Sequence, residues 1–218
     1  FLTALFTATS ATCVTGLVVA STATNWSLFG QIVILIMIQT GGLGFMTIAT
    51  LFFFLVRKKI SVRERAVLAE SINSAHIGRI LSLTGMIFTG TVLFELLGAA
   101  LLAVRFVPQF GAARGIYYAV FHSVSAFCNA GFDLMGDTAG GPFSSLVAYR
   151  SDPVLILTVA LLIILGGLGF VVWSDLLELP RSHRLKFHSK VVLAWTGILL
   201  AAGTDRKSTR PELQSRQS

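Results

Sequence analysis

Ser10-Ala11-Thr12-Cys13-Val14-Thr15-Gly16 returns 115 positions later as Ser125-Ala126-Phe127-Cys128-Asn129-Ala130-Gly131. A second motif follows each copy, Gly41-Gly42-Leu43-Gly44-Phe45 and then Gly166-Gly167-Leu168-Gly169-Phe170. An internal repeat outranks local signals, because it says that the chain builds one unit more than once. Here the unit is a short apolar stretch, a turn of small residues ending in glycine, and a long apolar stretch. Set around an axis in a membrane, such a unit makes a pore or a translocation path.

Composition agrees with a membrane setting. The chain of 218 residues is 54% hydrophobic and 12% charged, with a mean hydropathy of +0.79, whereas soluble domains run near a quarter charged. Leu28–Val56, Ile80–Val104 and Val154–Leu177 are long enough to cross a hydrocarbon core, which takes about 20 apolar residues. Another apolar run begins near Val191 and stops at Gly203, too short to span. Phe1–Cys13 and Gly115–Cys128 are also short and read as re-entrant half-helices, tolerated only where protein or water covers their ends. The expected fold class is an all-α membrane protein of helix, re-entrant half-helix and helix units, with one and a half to two of an expected four present.

The charges set an orientation. Arg57, Lys58, Lys59, Arg63, Arg65 and Arg79 lie between the first two spans; Arg181, Arg184, Lys186 and Lys190 follow the third. The opposite side holds Arg105, Arg114 and Arg150. By the positive-inside rule the basic loops are cytoplasmic and both repeated turns face outward. The net charge of +7 is thus a matter of topology, and no nucleic-acid partner is expected. Thr204–Ser218 breaks the apolar pattern with Asp205-Arg206-Lys207 and is expected to be a non-native tail. The abrupt start at Phe1 reads as an internal piece of a longer chain. The expected organisation is repeat one at 1–56, a basic loop at 57–79, repeat two at 80–178, a second loop at 179–190 and a third repeat beginning at 191–203.

The unit suits a cation. The last carbonyls of a half-helix have no intrahelical partner, and that end carries roughly half a negative charge. The chain then turns back in an extended form, and glycine permits the dihedrals this requires. The carbonyls of Val14, Thr15, Gly16 and Leu17, and of Asn129, Ala130, Gly131 and Phe132, are the candidate ion ligands, replacing a hydration shell. A ring of about four such strands coordinates a cation, so two of them come from elsewhere. Asp133 lies at the expected outer mouth, either concentrating cations by its field or capping a turn. Glu95 is the one carboxylate in the middle of a predicted span. It is either a brace for the half-helix or a direct ion or proton group. The paired glycines serve close helix packing or line the path. Cys13 and Cys128 are expected to pack as small hydrophobes behind the turns rather than to form a disulfide. Gln31 and Gln39 share a helix face and suit packing hydrogen bonds. No nucleophile–base pair, phosphate loop or metal-ligand spacing is present, which speaks against an enzyme. A secondary symporter would also use broken helices, though with one solute site at the midplane.

Thr7–Gly16, Trp26–Gln31, Gln39–Thr47 and Phe121–Asp133 resemble the first two repeats of the Trk/Ktr/HKT superfamily of potassium transporters, and most closely the KtrB-type membrane subunit. The resemblance runs from Phe1 to about Gly203, roughly half of such a chain. It implies four repeats with one filter glycine each, Gly16 and Gly131 being the first two. It also implies potassium as the transported ion, no cofactor, a homodimer in the cytoplasmic membrane and a cytoplasmic nucleotide-binding ring of the KtrA type. Relatives with serine at the first filter position lean towards sodium, so Gly16 implies potassium, with sodium or mixed transport the alternative. Ile60–Gly78 is the candidate surface for docking the ring.

Overall fold

The computed structural model describes residues 1–44, 74–138, 141–182 and 185–208. All regular elements among them are helical: α1 (Leu2–Thr12), α2 (Thr22–Asn25), α3 (Leu28–Leu43), α4 (Ser74–Phe110), α5 (Ala112–Phe127), α6 (Pro153–Gly167), α7 (Phe170–Ser182) and α8 (Phe187–Ser208). Short 3-10 turns at Met135–Asp137 and Val147–Tyr149 order the loop between α5 and α6. The chain forms two compact units, Phe1–Gly167 and Leu168–Ser218.

In the first unit α5 is the central element, packed on α4, α6 and α3, while α1 rests on α3. Local chemistry sets the boundaries. Ser27 accepts from the Gly30 N–H at the start of α3, a serine N-cap. Asp152 accepts from the N–H groups of Val154 and Leu155 at 3.2 and 3.3 Å, with Pro153 at the first helical position, where it loses no hydrogen bond. Gly111, at φ +81, joins α4 to α5. Gly115 then lets the two helices close up, because a β-carbon there would lie 2.6 Å from the Val107 Cα.

Within α4, Gly85–Phe110 is long and apolar enough to cross a bilayer. Leu93, Leu96, Leu97, Leu101 and Val104 on it are exposed, so this stripe requires apolar surroundings. Its other face is closely packed. Phe106 is fully buried, with His122 and Tyr149 ring centroids at 5.5 and 5.7 Å. Gly98 admits both neighbours, since a β-carbon would meet the Ser123 hydroxyl and the Leu162 methyl at 2.6 Å. Among lipid tails apolar transfer favours no helix contact, so such close packing and interhelical hydrogen bonds hold the bundle.

Several expected boundaries differ. The span expected at Val154–Leu177 is interrupted: α6 ends at Gly167 and α7 starts at Phe170. The cause is Gly169, whose φ of +86 is outside the helical region. Gly44, at φ +79, closes α3. The span expected at Leu28–Val56 is described as far as Gly44, and its remainder lies outside the described residues. The helix that carries the span expected at Ile80–Val104 runs from Ser74 to Phe110. Most of the basic loop, including Arg57–Arg65 and the candidate ring-docking surface up to Asn73, lies outside the described residues. The run expected to stop at Gly203 belongs to a helix that continues to Ser208.

In the second unit α7 runs to Ser182 and α8 starts at Phe187, both within the loop expected at 179–190. Buried Asp175 of α7 accepts from Lys186 Nζ and Ser189 Oγ, each at 2.5 Å, which ties α7 to the start of α8.

Candidate functional site

The two repeated turns have the same backbone geometry. α1 ends with Thr15 N–H donating to the Ser10 carbonyl at 3.0 Å and Val14 N–H to Ala11 at 3.3 Å. α5 ends with Ala130 N–H donating to Ser125 at 2.8 Å and Asn129 N–H to Ala126 at 3.0 Å. Each pair is a Schellman closure, which needs a left-handed residue just past the helix. That residue is Val14 at φ 55 in one copy and Asn129 at φ 59 in the other. Asparagine tolerates this region, whereas a β-branched valine is strained there. A second left-handed residue follows two positions later, Gly16 at φ 73 and Gly131 at φ 70.

The two kinks meet. A β-carbon built on Gly16 would lie 2.9 Å from the Ala130 carbonyl oxygen and 3.6 Å from the Gly131 Cα. One built on Gly131 would lie 3.4 Å from the Gly16 Cα. Residues 115 apart in sequence thus stand backbone to backbone, with no side chain between them.

Two serines that the sequence reading left without a role close each kink. Ser10 Oγ donates to the Leu17 carbonyl at 2.6 Å and Ser125 Oγ to the Phe132 carbonyl at 2.6 Å. These oxygens were expected among the ion ligands; a serine hydroxyl already holds each of them. Of the eight candidate carbonyls, those of Leu17 and Phe132 are thus the two that a serine holds. The signal was in the sequence, because serine is one of four identities between the copies. Its hydrogen-bond partner lies seven residues on, across a reversal of the chain.

His122 is a second brace that only the fold reveals. Its Nε2 accepts from the Leu134 N–H at 3.3 Å, while Nδ1 lies 2.7 Å from the Tyr118 carbonyl. The Leu134 bond requires Nε2 to be an acceptor, so Nδ1 carries the proton. The matching position in the first copy is Thr7. Its buried hydroxyl has no hydrogen-bond partner among the described residues.

Glu95 is 9% exposed and faces two elements. Its carboxyl is hydrogen-bonded by Gln39 of α3 and lies 4.0 Å from Cys128 Sγ at the end of α5. Its backbone carbonyl accepts from Ser123 Oγ at 2.6 Å. These contacts tie α4 to α3 and α5. Gln31 makes a comparable tie: its amide donates to the carbonyls of Thr22, Ala23 and Trp26 and its oxygen accepts from Tyr117. Cys128 is buried as expected, but Cys13 is exposed: the described residues provide nothing that covers it. Asp133 Oδ1 accepts from the Met135 N–H at 2.9 Å, so it caps a turn. It also lines a cavity of about 180 Å³ with His122, Ser125, Asn129, Gly131 and Ser145.

The paired glycines resolve into two uses. Gly41 lies against the Thr12 carbonyl and Gly166 against the Phe127 carbonyl, too close for any β-carbon. In both repeats the exit helix crosses directly under the end of the short helix. Gly44 and Gly169 instead lie where helices end. At the loop end of α5, Asp137 accepts from Tyr118 Oη at 2.9 Å and pairs with Arg114. Arg105 pairs with Asp152 at 2.5 Å.

The model of the TrkH family, described as cation transport proteins, matches residues 1–204, and the chain belongs to this family. It is 47% identical over 203 residues to the potassium/sodium uptake protein NtpJ of Enterococcus hirae, covering 93% of this chain and 44% of that protein. It is 42% identical to the Ktr system potassium uptake protein B of Bacillus subtilis, covering 91% of this chain and 43% of that protein. The corresponding protein of Vibrio alginolyticus is 38% identical, with 92% and 43% covered. The chain thus spans less than half the length of these curated relatives.

Proposed function

We propose that the protein to which this chain belongs takes up potassium across the cytoplasmic membrane, through a filter of backbone carbonyls. The carrying observation is that Gly16 and Gly131 stand face to face at the ends of two identically closed helices. Such an end concentrates negative potential. The Val14–Gly16 and Asn129–Gly131 carbonyls supply oxygens that substitute for hydration water, and two further strands complete the ring. The turns face outward and the basic loops face the cytoplasm. Each short helix is then re-entrant, with its closed end directed into the membrane. Glu95 braces the second half-helix, and Asp133 sits at the outer mouth while capping its turn.

Potassium is favoured by Gly16 and by the names of the relatives, two of which are potassium uptake proteins. Sodium is the second reading, supported by the relative named for both ions. The protein works as a homodimer with a cytoplasmic nucleotide-binding ring. The phrase "Ktr system" in two relatives' names supports a partner of this kind. Transport through a preformed path needs no chemical step, so the protein is not an enzyme and takes no cofactor.

The test is complementation of a bacterium that lacks potassium uptake, using the complete gene with and without the ring partner. Growth at limiting potassium is expected. Failure to grow despite a normal amount of protein in the membrane overturns the reading, and growth dependent on sodium transport instead selects the second one.

A further inference from the structure

The hydroxyl-to-carbonyl bond that closes both kinks points beyond general transport to ion choice. Ser10 and Ser125 are 4% and 2% exposed, so water does not compete for their hydroxyls. Each donates at 2.6 Å to the residue just after the glycine. A donor at a carbonyl lies near its lone-pair direction, so the serine sets where that carbonyl points. We propose that Ser10 and Ser125 are positioning residues for cation selectivity. By turning the Leu17 and Phe132 carbonyls back towards the short helices, they end each row of ion-facing oxygens at its glycine.

This inference rests on the filter reading above. Discrimination between a larger and a smaller cation depends on how many carbonyls are presented and how firmly. A released carbonyl at position 132 adds a loosely held ligand beside the Gly131 plane. A loose site contracts around the smaller ion. Loss of the clasp therefore weakens rejection of sodium.

The two clasps differ in one respect. Ser10 Oγ also lies 2.9 Å from Thr15 Oγ1, and the position matching Thr15 is Ala130. Removing the Ser10 hydroxyl also takes one of two partners from Thr15, whose Oγ1 otherwise donates to the Ser10 carbonyl at 3.5 Å, whereas Ser125 can be tested alone.

Ser125→Ala, Ser125→Thr and Ser125→Cys are compared in the complete protein, in cells without other potassium uptake. The readouts are potassium uptake, the sodium concentration that halves it, and the amount of folded protein. Ser125→Ala is expected to need about tenfold less sodium for half inhibition, the size of one lost buried hydrogen bond. Threonine, which keeps the hydroxyl, is expected to restore the value to within about twofold. An unchanged sodium response in folded Ser125→Ala overturns the proposal, as does failed rescue by folded Ser125→Thr. If the alanine variant does not accumulate, Ser125→Cys, a weaker donor of similar size, must show an intermediate response. An unchanged response there overturns the proposal as well. Absence of potassium uptake by the unsubstituted protein removes the filter reading itself and is distinguishable from failure of the clasp.

Discussion

Gly166 lies so close to the backbone carbonyl of Phe127 that no β-carbon fits between them, and Gly41 stands in the same relation to Thr12. Each exit helix is thereby seated against the carbonyl end of the short helix of its own repeat. Gly41→Ala and Gly166→Ala are each expected to cost about 1–3 kcal/mol, the usual penalty for overpacking a tight contact. Gly167 makes the control, since a β-carbon there meets only the Asn129 amide at 3.9 Å. Thermal midpoints in detergent should fall for the first two variants and stay near the original for Gly167→Ala. Equal midpoints for all three contradict the close approach.

Gly16 and Gly131 share a left-handed backbone, at φ 73 and 70, but not the same clearance. Alanine at either position costs about 1–2 kcal/mol from the dihedral alone. At Gly16 the methyl also meets the Ala130 carbonyl at 2.9 Å, against 3.4 Å to the nearest atom at Gly131. Potassium uptake should fall in both variants and further in Gly16→Ala. The reverse order in matched membrane amounts would be inconsistent with the facing arrangement.

Glu95 joins α3 to the end of α5 by hydrogen bonds, and glutamine can keep them. Glu95→Gln should retain uptake and folded yield. Glu95→Ala leaves Gln39 without its buried partner, at about 1–3 kcal/mol, and should lower the folded yield. A Gln variant present at full yield but inactive would assign the carboxylate a direct role in moving ions.

Asp133 separates charge from capping in a single substitution. Its Oδ1 accepts from Met135 N–H, and asparagine offers the same oxygen without the charge. Uptake by Asp133→Asn should be reduced at low ionic strength and approach the original at about 0.1 M salt, where screening acts within about 10 Å. A salt-independent defect would mean that the mouth charge is not what matters.

Arg105, by its hydrogen bond, holds the Asp152 carboxyl below its ordinary value of 3.8. A carboxylate depressed on folding contributes stability above its unfolded value, and that contribution fades as pH falls through the folded one. The thermal midpoint should therefore drop as pH is lowered below about 4, the unfolded carboxylate range. Asp152→Asn should lack this acid limb while keeping an acceptor for the Val154 and Leu155 N–H groups. An identical acid limb in the variant would place the titration elsewhere.

Much of the unit was legible in order along the chain. The matching heptads located both kinks, and the lengths of the apolar runs marked Phe1–Cys13 and Gly115–Cys128 as short helices, found at Leu2–Thr12 and Ala112–Phe127. These features are local: each kink lies within four residues of its helix end and closes on a glycine, and a helix shows its length in its own residues. The family was legible for the same reason, since the motifs are contiguous.

Helix continuity was less legible. Gly44 and Gly169 sit in apolar runs with no polar break, and hydropathy does not register the sign of φ. The identical pentapeptides carried both uses of glycine, close packing by Gly41 and Gly166 and helix ending at Gly44 and Gly169, in letters that look alike.

The sequence by itself determined that a kinked unit occurs twice, how long its pieces are and where along the chain the positive charges cluster, because each depends on residues adjacent in the chain. Only the tertiary structure decided that Gly16 faces Gly131, that Glu95 contacts Gln39 and Cys128, and that Ser10 and Ser125 donate to the Leu17 and Phe132 carbonyls. Those relations depend on how separate helices pack in three dimensions, and their direction is set by close contacts and hydrogen-bond geometry that no spacing in a linear chain encodes.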